Sequence, residues 1–288
     1  MIKFEHTEVV GWEHAIRGMR NPMNSWEKSD SGWTRVSHEE AVDIYNDDSI
    51  EIIDECDRDE EGVSFYIIGK NDRDLMMQLR NAGTDHRKFM RMITVYVDIT
   101  APLYWWKEFD TYKVGTVANS CSTMHKIAAK EFTLEDFSCE HLIDNHGLEI
   151  EFTTVEDEVH LGKCSFDDVF RVTVDALNLA RNLYLNAKDK KKYWWQMIQL
   201  LPSSYNQKRT VMLNYEVLAN IYKSRKGHRL DEWRTMLDWI ESLPYSELIT
   251  GPDLSRTSIC NEIMEEVKER MKERVKMDTY AVTPRNKE

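Results

Sequence analysis

The chain has 288 residues, with 38 Lys+Arg against 51 Asp+Glu, 41% hydrophobic residues, nine Trp and only 11 Gly and 6 Pro; this excludes a disordered or linker-type chain and allows one large core. A formal charge of −13 leaves little general attraction for polyanions, because duplex binding rests on many Lys and Arg contacts to phosphate, so no nucleic-acid partner is expected. The start MIKFEHTEVV has no apolar h-region and no stretch approaches the ~18 apolar residues of a membrane span, so a soluble, cytoplasmic protein without membrane contact is expected.

In chain order, residues 10–20 and 37–46 read as short helices, and Glu51–Asp54 and Val63–Ile68 as two short strands around the acidic loop Glu55–Gly62. Asn71–Ala82 carries Leu75, Met76, Leu79 and Ala82 at helical spacing and stops at Gly83, the residue type that ends helices at least steric cost. From Met92 to Thr100 the period becomes two, with Ile93, Val95, Val97 and Ile99 alternating with polar residues as in a half-buried strand. Pro102 then suits the first turn of a helix carrying Leu103, Tyr104, Trp105 and Trp106. Leu148–Val155 is a second candidate strand, and Ser165-x-x-Asp168 resembles a capping box opening a helix to Ala187. Further helices fit Lys190–Leu200, Gln207–Lys223, Arg229–Ser242 and Ser255–Lys276, the last dominated by charges at i,i+3 and i,i+4 such as Glu266–Arg270. Strands early and helices late give an α/β (α+β) class, in one domain over 1–253 with an insertion near 21–69, followed by a charged helix and tail over 254–288.

The chain has no G-x-G-x-x-G, P-loop, H-E-x-x-H or G-x-S-x-G, so the common nucleotide, protease and hydrolase signatures fail. Cys56, Cys121, Cys139, Cys164 and Cys260 are odd in number and widely spread, which suits reduced thiols rather than a disulfide framework or a metal site. Cys121-x3-His125 would set a thiol and an imidazole one turn apart on a helix, an arrangement open to a thiolate nucleophile or to half a metal site. Cys139-Glu140-His141 and His146 raise the same question. Adjacent residues on a helix point in different directions, so Trp105-Trp106 and Trp194-Trp195 are read as core or interface rather than stacking platforms. Asn214, Asn220 and Arg225 lie about 240° and 140° apart around a helix, so a helix alone does not collect them.

Leu201-Pro202, Tyr205, Asn214, Asn220, Arg225, His228, Glu232 and Arg234 follow, with about one residue of slippage near Tyr205 and another before His228, a Leu-Pro, Tyr, Asn-x-Arg, Asn, Arg, His-Ala-Gln-x-Glu-Ile-Arg pattern. In this the chain resembles the C-terminal half of the flavin-dependent thymidylate synthases. Upstream, AIRGMR and the run DRDLMMQLRNAGTDHRKFMRMITVYVDITAPLYWWKEF are similar to that family's early Arg segment and to the helix, loop, strand and Pro-started helix before its signature. The signature itself is eroded: its Arg-His-Arg, Ser, Asn-Glu, Ser and Arg fall on Thr111, Tyr112, Lys113, Thr116, Ala118-Asn119, Cys121 and Thr123. The family's His-rich loop becomes the segment from Ala82 to Arg91, and its Asn-x-Arg becomes Asn214-Tyr215-Glu216, a charge reversal.

The resemblance implies a homotetramer with flavin at subunit interfaces, transferring a methylene from methylenetetrahydrofolate to C5 of dUMP through reduced FAD, with NADPH as reductant. On the matching positions, Asn214, Asn220 and Arg225, with Arg87 as a replacement cation, would meet FAD; Lys113, Thr116, Cys121 and Ser122 would meet the pyrimidine nucleotide; and Cys121 would be the candidate catalytic thiol. Phosphate and pyrophosphate need several charge-assisted donors, most of which are missing, so the alternative is a non-catalytic homologue acting as a nucleotide-binding or protein-interaction module.

Overall fold

A computed structural model describes residues 2–46, 54–56, 58–145, 147–153 and 159–251. The expected helix over 255–276 and residues 51–53 and 154–155 of the two expected strands lie outside these. The chain opens with β1 (Lys3–Val10), an exposed edge strand whose only half-covered apolar side chains are Phe4 and Val9. Gly11 turns it into α1 (Trp12–Arg20) at φ +93°, and an added Cβ would stand 2.2 Å from the Met92 carbonyl oxygen, so only glycine fits. Helix α1 buries Trp12, Ala15, Ile16 and Met19.

Inside the insertion expected near 21–69, β2 (Gly32–Val36), α2 (His38–Asn46), β3 (Asp54–Cys56) and β4 (Val63–Ile67) form a small unit with an antiparallel sheet in the order β2-β4-β3. Ala41, Val63 and Phe65 make its own core. Helix α3 (Lys70–Asn81) follows, tied to the 20–31 segment by Asp72, which is fully buried. One Asp72 oxygen takes the Arg20 Nε–H at 2.6 Å; the other accepts from the Ser29 and Ser31 hydroxyls and the Asp30 and Ser31 amides.

The chain then runs through a 3-10 turn (Arg87–Arg91) into β5 (Thr94–Pro102). Val95, Val97, Ile99 and Ala101 are buried, with Ile93 just ahead of them, as the two-residue period requires. Pro102 ends this strand and caps α4 (Leu103–Phe109) rather than standing inside its first turn. Trp105, Trp106 and Phe109 of α4 are buried in the core. Next come β6 (Val117–Ser120) and α5 (Thr123–Lys126), then the antiparallel ribbon of β7 (Leu148–Thr153) and β8 (Val159–Cys164). Ser165 and Asp168 form a reciprocal capping box on α6 (Phe166–Asn186), which pairs with α7 (Lys190–Leu200) over a second core built on Leu177, Met197, Phe132 and Phe137.

The expectation of a helix over Gln207–Lys223 is corrected here. Its first half is β9 (Asn206–Asn214), and the helix is α8 (Tyr215–Arg225). In NQKRTVMLN the alternation of Val211 and Leu213 with Thr210 and Met212 is short, and it becomes a strand because β5 supplies nine paired positions, from Thr94↔Asn214 to Pro102↔Asn206. Helices α9 (Asp231–Glu241) and α10 (Glu247–Thr250) complete the described chain. The main sheet is antiparallel in the order β1-β5-β9-β6, and its Val95, Val97, Ile99, Val211 and Leu213 face shares one core with Trp12, Trp105, Trp106, Leu218 and Trp233.

Candidate ligand-binding site

The residues singled out from the sequence fall into two regions. Cys121 and Ser122 lie in a cleft of about 270 Å³ with Lys126, Lys130, Glu135, Tyr205, Gln207 and Lys208, a little below the usual range of small-molecule sites. Antiparallel pairing of β6 with β9 brings these together: the Cys121 amide donates to the Lys208 carbonyl at 2.9 Å, and Gln207 Nε2 donates to the Cys121 carbonyl at 2.8 Å. Ser122 caps α5, its hydroxyl accepting the His125 amide at 3.1 Å. Helix α5 therefore starts after Cys121, and the thiol and the His125 imidazole are not one turn apart on a helix.

Charge in the cleft is unevenly used. Lys208 is held by Glu5 at 3.1 Å and Asp98 at 3.2 Å, and Lys130 is paired with Asp136. Lys126 has no carboxylate partner among the described residues and is exposed. Burial pushes the Tyr205 phenol up, with the Asp136 charge adding to it, so it stays a neutral hydroxyl able to donate. The cleft thus offers the Lys126 ammonium, a phenol, a hydroxyl and an exposed thiol around an opening that the Glu135 and Asp136 carboxylates also line.

Lys113 is exposed and Thr116 half-buried, beyond the other end of β6. From Thr116 to Cys121 the chain takes five extended steps, about 16 Å, so the expected nucleotide contacts do not converge in one chain. Gly115, at φ +76°, lets this turn sit against the start of α8, where a Cβ would meet the Asn214 side-chain nitrogen at 3.0 Å. The Thr116 hydroxyl is buried there without a hydrogen-bond partner among the described residues.

Around α8 the candidate flavin residues are bonded within the chain. Asn214 Oδ1 accepts the Val217 amide at 3.1 Å as the helix cap. Asn220 Oδ1 accepts from Arg87 Nη2 at 3.3 Å. Arg87 Nε is 3.5 Å from Glu216 Oε1, and Arg91 donates to Glu216 Oε2. At the other end of the helix, Arg225 donates to Glu108 at 2.8 Å and to the Tyr112 hydroxyl at 2.9 Å, and lies 4.3 Å over the Trp233 ring. Glu108 also receives Trp233 Nε1 at 3.0 Å. Glu232 accepts from Tyr104, and Arg234 pairs with Asp231 at 2.9 Å.

Sequence reasoning missed Lys126 and Tyr205 as cleft residues, and Glu108, Tyr112 and Trp233 as partners of Arg225. Only the charge reversal at Glu216 and the basic character of Arg87 and Arg91 signalled the second cluster. His146 and Cys260 lie outside the described residues, and the other thiols and histidines singled out do not assemble among the described ones. Burial pushes the Cys139 thiol up, His141 sits 3.1 Å from Asp231, and no group of three metal-ligating side chains occurs among the described residues.

No protein-family model matches the sequence, and no characterised protein matches it by sequence. Among solved structures, flavin-dependent thymidylate synthase ThyX from Helicobacter pylori complexed with FAD and dUMP is similar with a TM-score of 0.51 and 14% identity, over 88% of this chain and 98% of that one. A second Helicobacter pylori ThyX structure with FAD and dUMP gives 0.50 and 14%, over 88% and 97%. The UMP/dUMP methylase PolB from Streptomyces cacaoi bound with 5-Br dUMP gives 0.46 and 14%, over 84% and 89%. The chain has the fold of the flavin-dependent thymidylate synthases.

Proposed function

We propose that this chain is a pyrimidine-nucleotide-binding protein, holding a dUMP-like ligand in the cleft of Cys121, Ser122, Lys126 and Tyr205. The observation that carries this is the cleft itself: a small opening beside Cys121, where Lys126 has no carboxylate partner among the described residues and a phenol is kept protonated. Lys126 would meet the phosphate, since an ammonium on a dianion forms charge-assisted hydrogen bonds stronger than neutral ones. Tyr205 and Ser122 would orient sugar or base, and Cys121 would contact the ring edge. Titrating dUMP by calorimetry tests this. Lys126→Ala should weaken binding about tenfold, the worth of roughly one such bond; equal affinity in both forms would refute the assignment.

A second reading, C5 methylation with reduced FAD, methylenetetrahydrofolate and NADPH in a homotetramer, is favoured by the extent of the shared fold, which takes in 98% of the ThyX chain. The residues of one chain do not fit the anionic half of FAD. Arg87 and Arg91 are bonded to Glu216, Arg225 is bonded to Glu108, and Asn214 caps its own helix. On that ground binding without flavin chemistry is the favoured reading. The visible spectrum of purified protein before and after adding FAD separates the two: a retained flavin band supports methyl transfer, and its absence supports binding alone.

A further inference from the structure

The geometry points to Glu216 as a built-in anion that fills an oxyanion seat made by Arg87 and Arg91, with the Asn220 side-chain oxygen steadying Arg87. The two arginines stand four residues apart on the 3-10 turn Arg87–Arg91, and both reach the first turn of α8. There the Glu216 carboxylate is only 8% exposed, one oxygen facing each guanidinium. Arg91 is 58% and Arg87 22% exposed, so the seat opens to solvent on the arginine side.

Two guanidiniums around one point suit a phosphate or pyrophosphate, because guanidinium forks match the spacing of their oxygens. Here the chain supplies the anion itself. A phosphate would have to displace a nearly buried carboxylate from both its cations, leaving that charge unpaired, which is unfavourable. Among the described residues, Asp85 adds to the attraction on Arg91, and Arg80 faces Arg87 while bonded to the Leu248 and Ile249 carbonyls. Neither supplies a replacement for Glu216. The seat therefore excludes phosphate-bearing ligands in the native chain, and Glu216 determines that specificity. This stands apart from the nucleotide reading, which concerns a different cleft.

Inorganic pyrophosphate, titrated by calorimetry against the full chain, is the probe. Wild type should show no binding at this seat. Glu216→Gln, which keeps the shape and removes the charge, should gain affinity at least tenfold, and adding Arg91→Ala should abolish the gain, separating this seat from the lysines of the Cys121 cleft. Should Glu216→Gln fail to fold, Arg87→Ala and Arg91→Ala decide the matter in the otherwise native chain: each should leave pyrophosphate and FAD affinity unchanged. A tenfold loss in either variant, or a Glu216→Gln protein that gains nothing, would overturn the inference.

Discussion

Arg225 and Lys126 carry the same formal charge in different surroundings. Arg225 is held by Glu108, Tyr112 and the Trp233 ring, whereas Lys126 lines the cleft without a carboxylate partner among the described residues. Arg225→Ala should therefore lower stability, by about 1.5–3 kcal/mol for a lost charged hydrogen bond, as read from denaturant midpoints, while leaving dUMP affinity unchanged. Arg225→Lys should recover only part of the loss, because an ammonium cannot reproduce the planar fork lying over Trp233. A large loss of dUMP affinity in Arg225→Ala would instead return that arginine to the binding site. Such pairings are not written in local sequence: Glu108 lies 117 residues from Arg225, and no spacing rule connects them. Glu216 was legible as a reversed charge, yet what it bonds to depended on how the 3-10 turn meets α8.

At the scale of elements, legibility followed the strength of the local signal. The Ser165-x-x-Asp168 box and the period of β5 stood out because the residues that cap or cover them are near neighbours or repeat regularly. Strand β9 did not, because Gln207, Lys208 and Arg209 interrupt its apolar positions and its identity comes from pairing with β5. Edge strand β1 carries almost no apolar alternation, and its partner lies some ninety residues away. The 20–31 segment depends in the same non-local way on Asp72 of α3. Burial alone would push the Asp72 carboxyl up, but the Ser29 and Ser31 hydroxyls and the Arg20 guanidinium together hold it below the usual carboxylate range. A depressed native pKa means that stability is present above the unfolded carboxyl value and lost as pH falls through the native one. Asp72→Asn should thus be destabilised at neutral pH, by about 3–5 kcal/mol for a broken buried pair, and should lose less further stability on acidification than wild type. Parallel acid-denaturation curves for the two proteins would contradict this role.

For the whole molecule, the shared fold and the sheet topology are settled, while the use of the two regions depends on assembly and ligand. Helix α6 turns Leu177 and Ala180 inward and leaves Val172, Leu179 and Leu183 exposed on another side. A tetramer is expected from the family resemblance, and a second copy covering this stripe would bury apolar area that is otherwise in water. Sedimentation should show a species heavier than the 34.1 kDa chain that Leu179→Glu with Leu183→Glu dissociates; a monomer at high concentration in the wild type would contradict the assembly. The central claim, a pyrimidine nucleotide in the Cys121 cleft, is tested most directly by the thiol itself, which is free and exposed. The measurement is the rate of Cys121 alkylation, followed by mass spectrometry with and without dUMP. The account predicts that dUMP at about ten times its Kd slows labelling of Cys121 about tenfold, that Cys139 and Cys164 are unaffected, and that Lys126→Ala cuts the protection to about twofold at the same dUMP concentration. Labelling of Cys121 at the same rate with and without dUMP would contradict it.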